Sequence, residues 1–307
     1  MCGISGFSWK NKKLIEMMNN EQSFRGPDDE GIFIDDHVSL GHRRLSILDL
    51  SRDGHQPMFD SVKSLVLVYN GEIYNFKEIN KELEKKGYKF NTKTDSETII
   101  YAYKHWGSKC VEKFIGMFAF AIYDFQKKEI FLARDHVGIK PLYFYKDSNK
   151  FIFSSTIQPI LLHEIKTKPN KKAIRDFLLY NITDHLSESF FKGIFKFPKG
   201  HYAYYNFENN KIRFKKWFSP NFSEDTNLQY SDSLDTFRDK LNKSVEYRLI
   251  SDVPVGTCLS GGLDSTSIAC LINNKDKEKI KTFSAVYENF SKDESKYITS
   301  ATLKAKF

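Results

Sequence analysis

A chain of 307 residues, 40% hydrophobic and 28% charged, has the balance of a folded globular protein with room for about two domains. Its net charge of +8 comes from lysines scattered without interleaved aromatics, which speaks against a nucleic-acid partner. No apolar run nears the roughly 18 residues of a membrane span, no secretory signal opens the chain, and its Cys and His residues lack metal-ligand spacing, so a cytoplasmic protein with free thiols, no membrane association and no metal site is expected.

The chain opens Met1-Cys2-Gly3-Ile4. Removal of Met1 would leave Cys2 with a thiol and a free α-amine on one carbon. The thiolate is the nucleophile, and an α-amine of pKa about 8 can take the thiol proton directly or through one water. A cysteine at position 2 is weak evidence alone; its weight comes from the motifs further along the chain.

Residues 4–9 read as a short strand that would bury and hold the terminus. A polar helical segment comes next, then the turn Arg25-Gly26-Pro27-Asp28. Residues 32–34 and 38–40 read as paired strands around Asp35-Asp36. The second continues through residues 41–48, carrying Arg44 inside an apolar run, where an arginine must find an anion. Residues 64–69 form a strand ending at Asn70-Gly71, which reads as a turn and equally as a pair of groups able to face an oxyanion. Phe76, Ile79 and Leu83 recur at helical spacing, with Gly87 as the stop. Thr94-Asp95 opens a helix through Trp106; Asp95 is read as its cap or as a ligand-binding carboxylate.

From Gly116 the pattern turns to strands: 117–124, 129–134, 142–145 and 151–154. Short helices are expected at 157–162 and 171–180, and a hairpin over 193–205. This is an α+β domain of stacked antiparallel sheets. The polar stretch 206–230 is assigned as linker, dividing a domain over 1–205 from one over 231–307. The second opens with the helical stripe Leu234, Phe237, Leu241 and Val245. Then come a buried strand at 253–259, the turn Ser260-Gly261-Gly262-Leu263-Asp264-Ser265, an apolar helix and a strand at 282–287, a βαβ start. A glycine-rich turn between strand and helix attracts phosphate. Without a Walker lysine, and with Asp264 present, it suits a pyrophosphate held with Mg²⁺.

As a set, these motifs together with Arg44-Leu45-Ser46-Ile47, Asn70-Gly71-Glu72-Ile73-Tyr74-Asn75, Arg134-Asp135-His136 and Pro141-Leu142-Tyr143 resemble the glutamine-hydrolysing asparagine synthetases, in order and over essentially the whole chain. The resemblance implies an N-terminal-nucleophile (Ntn) hydrolase fold acting as a class II glutamine amidotransferase over 1–205. Over 231–307 it implies the start of an α/β ATP-pyrophosphatase domain. Glutamine, aspartate and ATP with Mg²⁺ are the implied small molecules, glutamine hydrolysis itself needing no cofactor; a homodimer is compatible with the family. By motif, Cys2 would attack the glutamine amide carbon and Asn70 and Gly71 would form the oxyanion hole. Arg44 would pair the α-carboxylate, Glu72 and Asp95 would hold the α-amino end, and Leu45, Ser46, Ile47 and Leu48 would line the pocket. Leu259 and Ala285 would flank adenine, with Ser260, Gly261, Gly262, Leu263, Asp264 and Ser265 on the pyrophosphate.

The family's synthetase half runs a few hundred residues beyond its ATP loop, whereas this sequence ends at Phe307. A C-terminally truncated chain limited to the glutaminase half-reaction is therefore expected. An amidotransferase with another carboxylate acceptor, and a non-catalytic remnant that binds glutamine, stay open as alternatives.

Overall fold

The computed structural model describes residues 1–223, 229–273, 281–287, 290–291 and 293–305. The chain divides into two compact units, Met1–Asn221 and Phe222–Phe307.

β1 (Gly3–Phe7) is buried along its whole length. It lies between β3 (Ser39–Arg44) and β9 (Phe151–Ser154), antiparallel to both. A strand paired on both edges cannot fray, so the start of the chain is held where a free terminus would be mobile. β2 (Asp29–Ile34) extends this sheet beyond β3. β8 (Tyr143–Lys146) and β10 (Ile194–Lys196) extend it beyond β9.

The second six-stranded sheet runs β12 (Lys211–Lys216), β11 (His201–Asn206), β7 (Glu129–Arg134), β6 (Gly116–Asp124), β5 (Leu65–Ile73) and β4 (Met58–Phe59). Alternating side chains from the two sheets meet in one core. Ile4, Leu40 and Phe153 of the first sheet cluster with Val66, Val68, Ala121 and Leu132 of the second, all fully buried. Each such large side chain contributes about 1.5–3 kcal/mol. α1 (Lys12–Asn20) and α4 (Gln158–Leu161) cover the outer face of the first sheet, where Ile15, Met18 and Ile160 pack with Phe7 and Ile152. α2 (Phe76–Glu84) and α3 (Asp95–Trp106) accompany the second, and the Tyr103 ring of α3 stacks on Phe131 of β7. Two antiparallel sheets between helices are what the sequence pattern implies.

The structure differs from the sequence reading in several places. Strand β3 ends at Arg44, so residues 45–48 are loop and not strand. Asn70-Gly71 is not a turn: β5 continues through it to Ile73, with Asn70 opposite Ala119 and Gly71 opposite Phe118. A Cβ at Gly71 would collide with the Met117 carbonyl, so this glycine serves close strand approach rather than reversal.

Residues 193–205 are not a hairpin. β10 pairs with β8 in the first sheet and β11 with β7 in the second, the chain crossing between sheets through buried Phe197 and through Gly200, whose φ is +62°. Lys211–Lys216, inside the stretch assigned as linker, is edge strand β12, paired with β11. Its row of Lys and Arg is the composition of a protected sheet edge, and that polarity disguises it as irregular chain.

α5 (Lys171–Tyr180) completes the described helices of the first unit. In the second unit, α6 (Tyr230–Arg248) buries Val245 of its apolar stripe but exposes Leu234 and Phe237. β13 (Gly256–Cys258), α7 (Leu263–Asn273) and β14 (Lys281–Phe283) form a parallel βαβ unit, and α8 (Ser295–Ala305) follows. β13, expected as a buried strand over 253–259, and β14 are each three residues long and largely exposed, because a two-stranded parallel pair among the described residues has no neighbouring strand to cover it. No described helix is long and apolar enough to cross a membrane.

Candidate active site

Cys2 sits one residue before β1, and the turn at residues 25–28 holds it. Arg25 Nε donates to the Cys2 carbonyl at 2.9 Å, while a Cβ on Gly26 would strike the Arg43 backbone. The Asp28 N–H donates to the Arg44 carbonyl at 3.0 Å, and Asp28 Oδ2 accepts from the Ser46 N–H at 2.7 Å. Residues 25–28 thus fasten the Cys2 backbone to the loop facing it. The Leu45 N–H points at Cys2 Sγ at 3.4 Å. Burial pushes the thiol's pKa up, while the Leu45 N–H and the neighbouring N-terminal, Lys140 and Arg44 charges pull it down. The N-terminal amine, here that of Met1, lies below its ordinary value because it is partly desolvated.

Arg44 is 6% exposed, and within the chain its guanidinium is met by backbone carbonyls. Nη1 donates to the Ser51 carbonyl at 2.9 Å, and Nη2 to the carbonyls of Leu48 (3.1 Å) and Asp49. Carbonyl dipoles satisfy a delocalised guanidinium well enough to keep it in the site without a carboxylate. The arginine therefore shapes the loop over residues 48–51 while its cation borders the cavity. Gly54 packs against it so closely that any Cβ would overlap the guanidinium.

Asn70 is 1% exposed, and neither its Nδ2 nor its Oδ1 has a partner among the described residues. A buried amide with both ends unmet costs about 1–3 kcal/mol or more, which suggests a group reserved for a ligand. Asp95 is not the helix cap. Thr94 caps α3 through the Ser96 N–H, freeing Asp95 Oδ2 to accept from the Tyr69 hydroxyl at 2.8 Å and the Ile73 N–H at 2.7 Å. Burial lifts Asp95 to about 6 against those bonds. Burial and the charge of Asp95 lift Glu72 to about 7, with Lys140 opposing.

A cavity of about 350 Å³ gathers these groups. Cys2, Arg44, Leu45, Ile47, Leu48, Asn70, Gly71, Glu72 and Asp95 all border it; of the expected pocket residues, Ser46 alone does not. Sequence reasoning missed Gln56, Tyr69 and Lys140, which also line it. Gln56 bridges β5 and α3, accepting from the Tyr69 N–H at 2.7 Å and donating to the Ser96 hydroxyl at 3.2 Å. A polar side chain in a loop gives no sequence sign of that. Lys140 stands directly before the Pro141-Leu142-Tyr143 motif, the one local signal that could have pointed to it.

In the second unit, the expected phosphate loop joins β13 to α7. Ser260 and Ser265 hydroxyls lie 3.0 Å apart, and Gly261 has φ +78°. Gly261, Gly262 and Leu263 border a separate open cavity with Thr266, Cys270 and Tyr297. Leu259 and Ala285 sit just past the C-terminal ends of the parallel strands, the usual ligand end of such a sheet. Leu259 is 1% exposed, so its backbone rather than its side chain is what could face a base. Asp264 begins α7 as its first-turn acid.

Residues 1–218 match the family model of a glutamine amidotransferase domain, and residues 236–305 that of asparagine synthase. The chain is 37% identical, over 97% of its length and 62% of the relative's, to a Methanocaldococcus jannaschii protein named "Putative asparagine synthetase (glutamine-hydrolyzing) 2". It is 32% identical, over 95% of its length and 49% of the relative's, to asparagine synthetase (glutamine-hydrolyzing) 3 of Bacillus subtilis. It thus spans about half to three-fifths of the length of these relatives. Among solved structures it is similar to glutamine phosphoribosylpyrophosphate amidotransferase from B. subtilis, with a TM-score of 0.51 at 17% identity, covering 94% of this chain and 67% of that one. A second, titled the allosteric regulatory enzyme of purine biosynthesis, gives 0.53 at 16% over 95% and 67%. These likenesses carry the fold, that of the N-terminal-nucleophile amidotransferases. With its first 218 residues and its later segment matched in this order, the chain belongs to the glutamine amidotransferase domain family and continues into the start of an asparagine synthase domain.

Proposed function

We propose that the first unit hydrolyses glutamine at Cys2 and that the ammonia serves a glutamine-dependent asparagine synthetase. The observation that carries the reading is the single cavity bordered by a thiol, an unpartnered buried amide, a guanidinium and two carboxylates. Glutamine presents the complementary groups: a carboxylate for Arg44, an ammonium for Glu72 and Asp95, and an amide at the far end for Cys2. Leu45, Ile47 and Leu48 would enclose its methylenes, with Ser46 fixing the loop behind them.

With Met1 removed, the Cys2 α-amine takes the thiol proton as sulfur attacks the amide carbon. The carbonyl electron pair moves to oxygen, where Asn70 Nδ2 and the Gly71 N–H stabilise it. Collapse expels ammonia, which carries off the proton held by the amine, and leaves a thioester that water opens to glutamate.

The second unit's residues fit the phosphates of ATP. The Ser260 to Ser265 turn carries two hydroxyls and opens α7, and the first N–H groups of a helix favour an anion. When bound with Mg²⁺, ATP would supply the adenylyl group that turns the aspartate side chain into β-aspartyl-AMP. Leu259 and Ala285 would lie against the base. The names of the relatives favour aspartate over another carboxylate acceptor. Cytoplasmic location and a homodimer belong to the same proposal.

The test is ammonia and glutamate release from glutamine by the purified chain, with Cys2→Ala as control. In the complete synthetase, Cys2→Ala should lose glutamine-driven but keep ammonia-driven asparagine formation. Equal glutamine hydrolysis by the two forms would defeat the reading.

A further inference from the structure

Lys140 is 6% exposed and borders the same cavity as Cys2 and Glu72. Taking an ammonium out of water is costly, and burial holds its pKa below the ordinary lysine value. The backbone keeps it there. Asp135, fully buried, accepts from the N–H groups of Val137 (3.2 Å), Gly138 (2.7 Å), Ile139 (2.9 Å) and Lys140 (2.9 Å). Arg134 donates to the carbonyls of Lys140 (2.8 Å), Gly138 (2.8 Å) and Phe197 (2.6 Å). One side chain thus takes the donors of residues 137–140 and its neighbour takes the acceptors. The lysine is held so that its side chain borders the Cys2 cavity.

The charges around it are defined. Glu72, Cys2 and Asp135 favour the ammonium and Arg25 opposes it. Around the sulfur stand the N-terminal amine, the Leu45 N–H, Lys140 and Arg44, with Arg25 and Tyr69 also in its field. Arg44 donates to three loop carbonyls, and Arg25 donates through Nε to the Cys2 carbonyl while its Nη2 stays buried without a partner among the described residues; Lys140 acts on the sulfur more strongly than Arg44.

We propose that Lys140 is an electrostatic residue of the glutaminase site, its ammonium stabilising the negative charge on Cys2 sulfur, and that Arg134 and Asp135 position it. As the sulfur's proton leaves for the N-terminal amine, the electron pair left behind forms the bond to the amide carbon. Lys140 keeps its own proton throughout. A charge alone is required of it, so arginine should replace it and methionine should not. The inference rests on the glutamine-hydrolysing reading for its purpose, but its test does not.

The test is the pH dependence of Cys2 alkylation by iodoacetamide in the full chain without glutamine, read on the Cys2 peptide so that Cys110, Cys258 and Cys270 do not contribute. Lys140→Met should move the midpoint upward by about one pH unit and slow alkylation at pH 7 up to about tenfold. Its melting temperature should match or exceed that of the parent, since a largely desolvated charge is gone. Lys140→Arg should restore the parent profile. Should Lys140→Met fail to fold, Lys140→Gln supplies the neutral comparison. A neutral variant whose profile superimposes on the parent's, or an arginine variant shifted as far as the neutral one, overturns the proposal. Absence of ammonia release by the parent chain would instead defeat the glutamine reading and leave the alkylation result standing.

Discussion

The Tyr69 hydroxyl donates to Asp95 Oδ2 at 2.8 Å, on the same oxygen that takes the Ile73 N–H. The two donors favour the carboxylate that burial opposes, and the balance leaves Asp95 at about 6. Removing the hydroxyl removes one of these donors while keeping the ring in place. Tyr69→Phe should raise KM for glutamine about 5- to 20-fold, of the order of one charge-assisted hydrogen bond, with kcat changed far less. It should also move the acid limb of kcat/KM to higher pH. Steady-state kinetics across pH 5–9 check both; a loss confined to kcat would contradict the assignment of Asp95 to substrate binding.

Glu72 at about 7 and Asp95 at about 6 form a coupled pair, so apparent pKa values belong to both. Binding an ammonium requires their ionised forms, and kcat/KM should fall as pH drops through 7 and more steeply below 6. Stability should run the other way. The folded Glu72 holds its proton to higher pH than an unfolded glutamate near 4.3, so stability is lost as pH rises from about 4 to about 7. Glu72→Gln should therefore be more stable than the parent at pH 8, by about 1–2 kcal/mol after solvent screening, with the gain vanishing near pH 4. Urea titrations at the two pH values decide it; a destabilised Glu72→Gln at pH 8 would show that the carboxylate has a partner in the folded chain.

Gly54 touches the Arg44 guanidinium, and a methyl group there must displace it. Gly54→Ala should raise KM for glutamine by about tenfold or more, because the shifted arginine loses its carbonyls and its line on the cavity. Arg44→Lys should act in the same direction and also loosen residues 48–51, costing about 1–3 kcal/mol of stability. Kinetics paired with thermal melts separate the two effects. A Gly54→Ala protein with parental KM would mean that the guanidinium does not meet substrate.

Met1 should be absent from active protein, since only a free Cys2 amine can accept the thiol proton. Intact-mass measurement checks this; full activity in a population retaining Met1 would move the base elsewhere.

The layered fold was legible because its strands alternate cleanly and its helices carry ordinary caps, as at Thr94 and Gly87. What escaped was set by tertiary pairing. Nothing local in Asn70-Gly71 distinguishes a turn from a strand that needs a glycine against Met117. Polar β12 takes its strand character from its neighbour β11. The site residues carried by motifs were visible and converge on one cavity, whereas Gln56 and Lys140 owe their place to bonds with distant or flanking backbone. Charge reasoning on Arg44 could not foresee its partners within the chain: burial demanded negative potential, and three loop carbonyls contribute to it.

The central claim is that Cys2 is the nucleophile for glutamine, and ammonia release by Cys2→Ala against the parent chain tests it most directly. The α-amine survives this change and the side chain shrinks by one sulfur atom, so the fold should hold and circular dichroism should not change. The parent should release ammonia and glutamate in equal amounts, and Cys2→Ala should release none above the uncatalysed rate. Retained hydrolysis by a folded Cys2→Ala protein would contradict the claim.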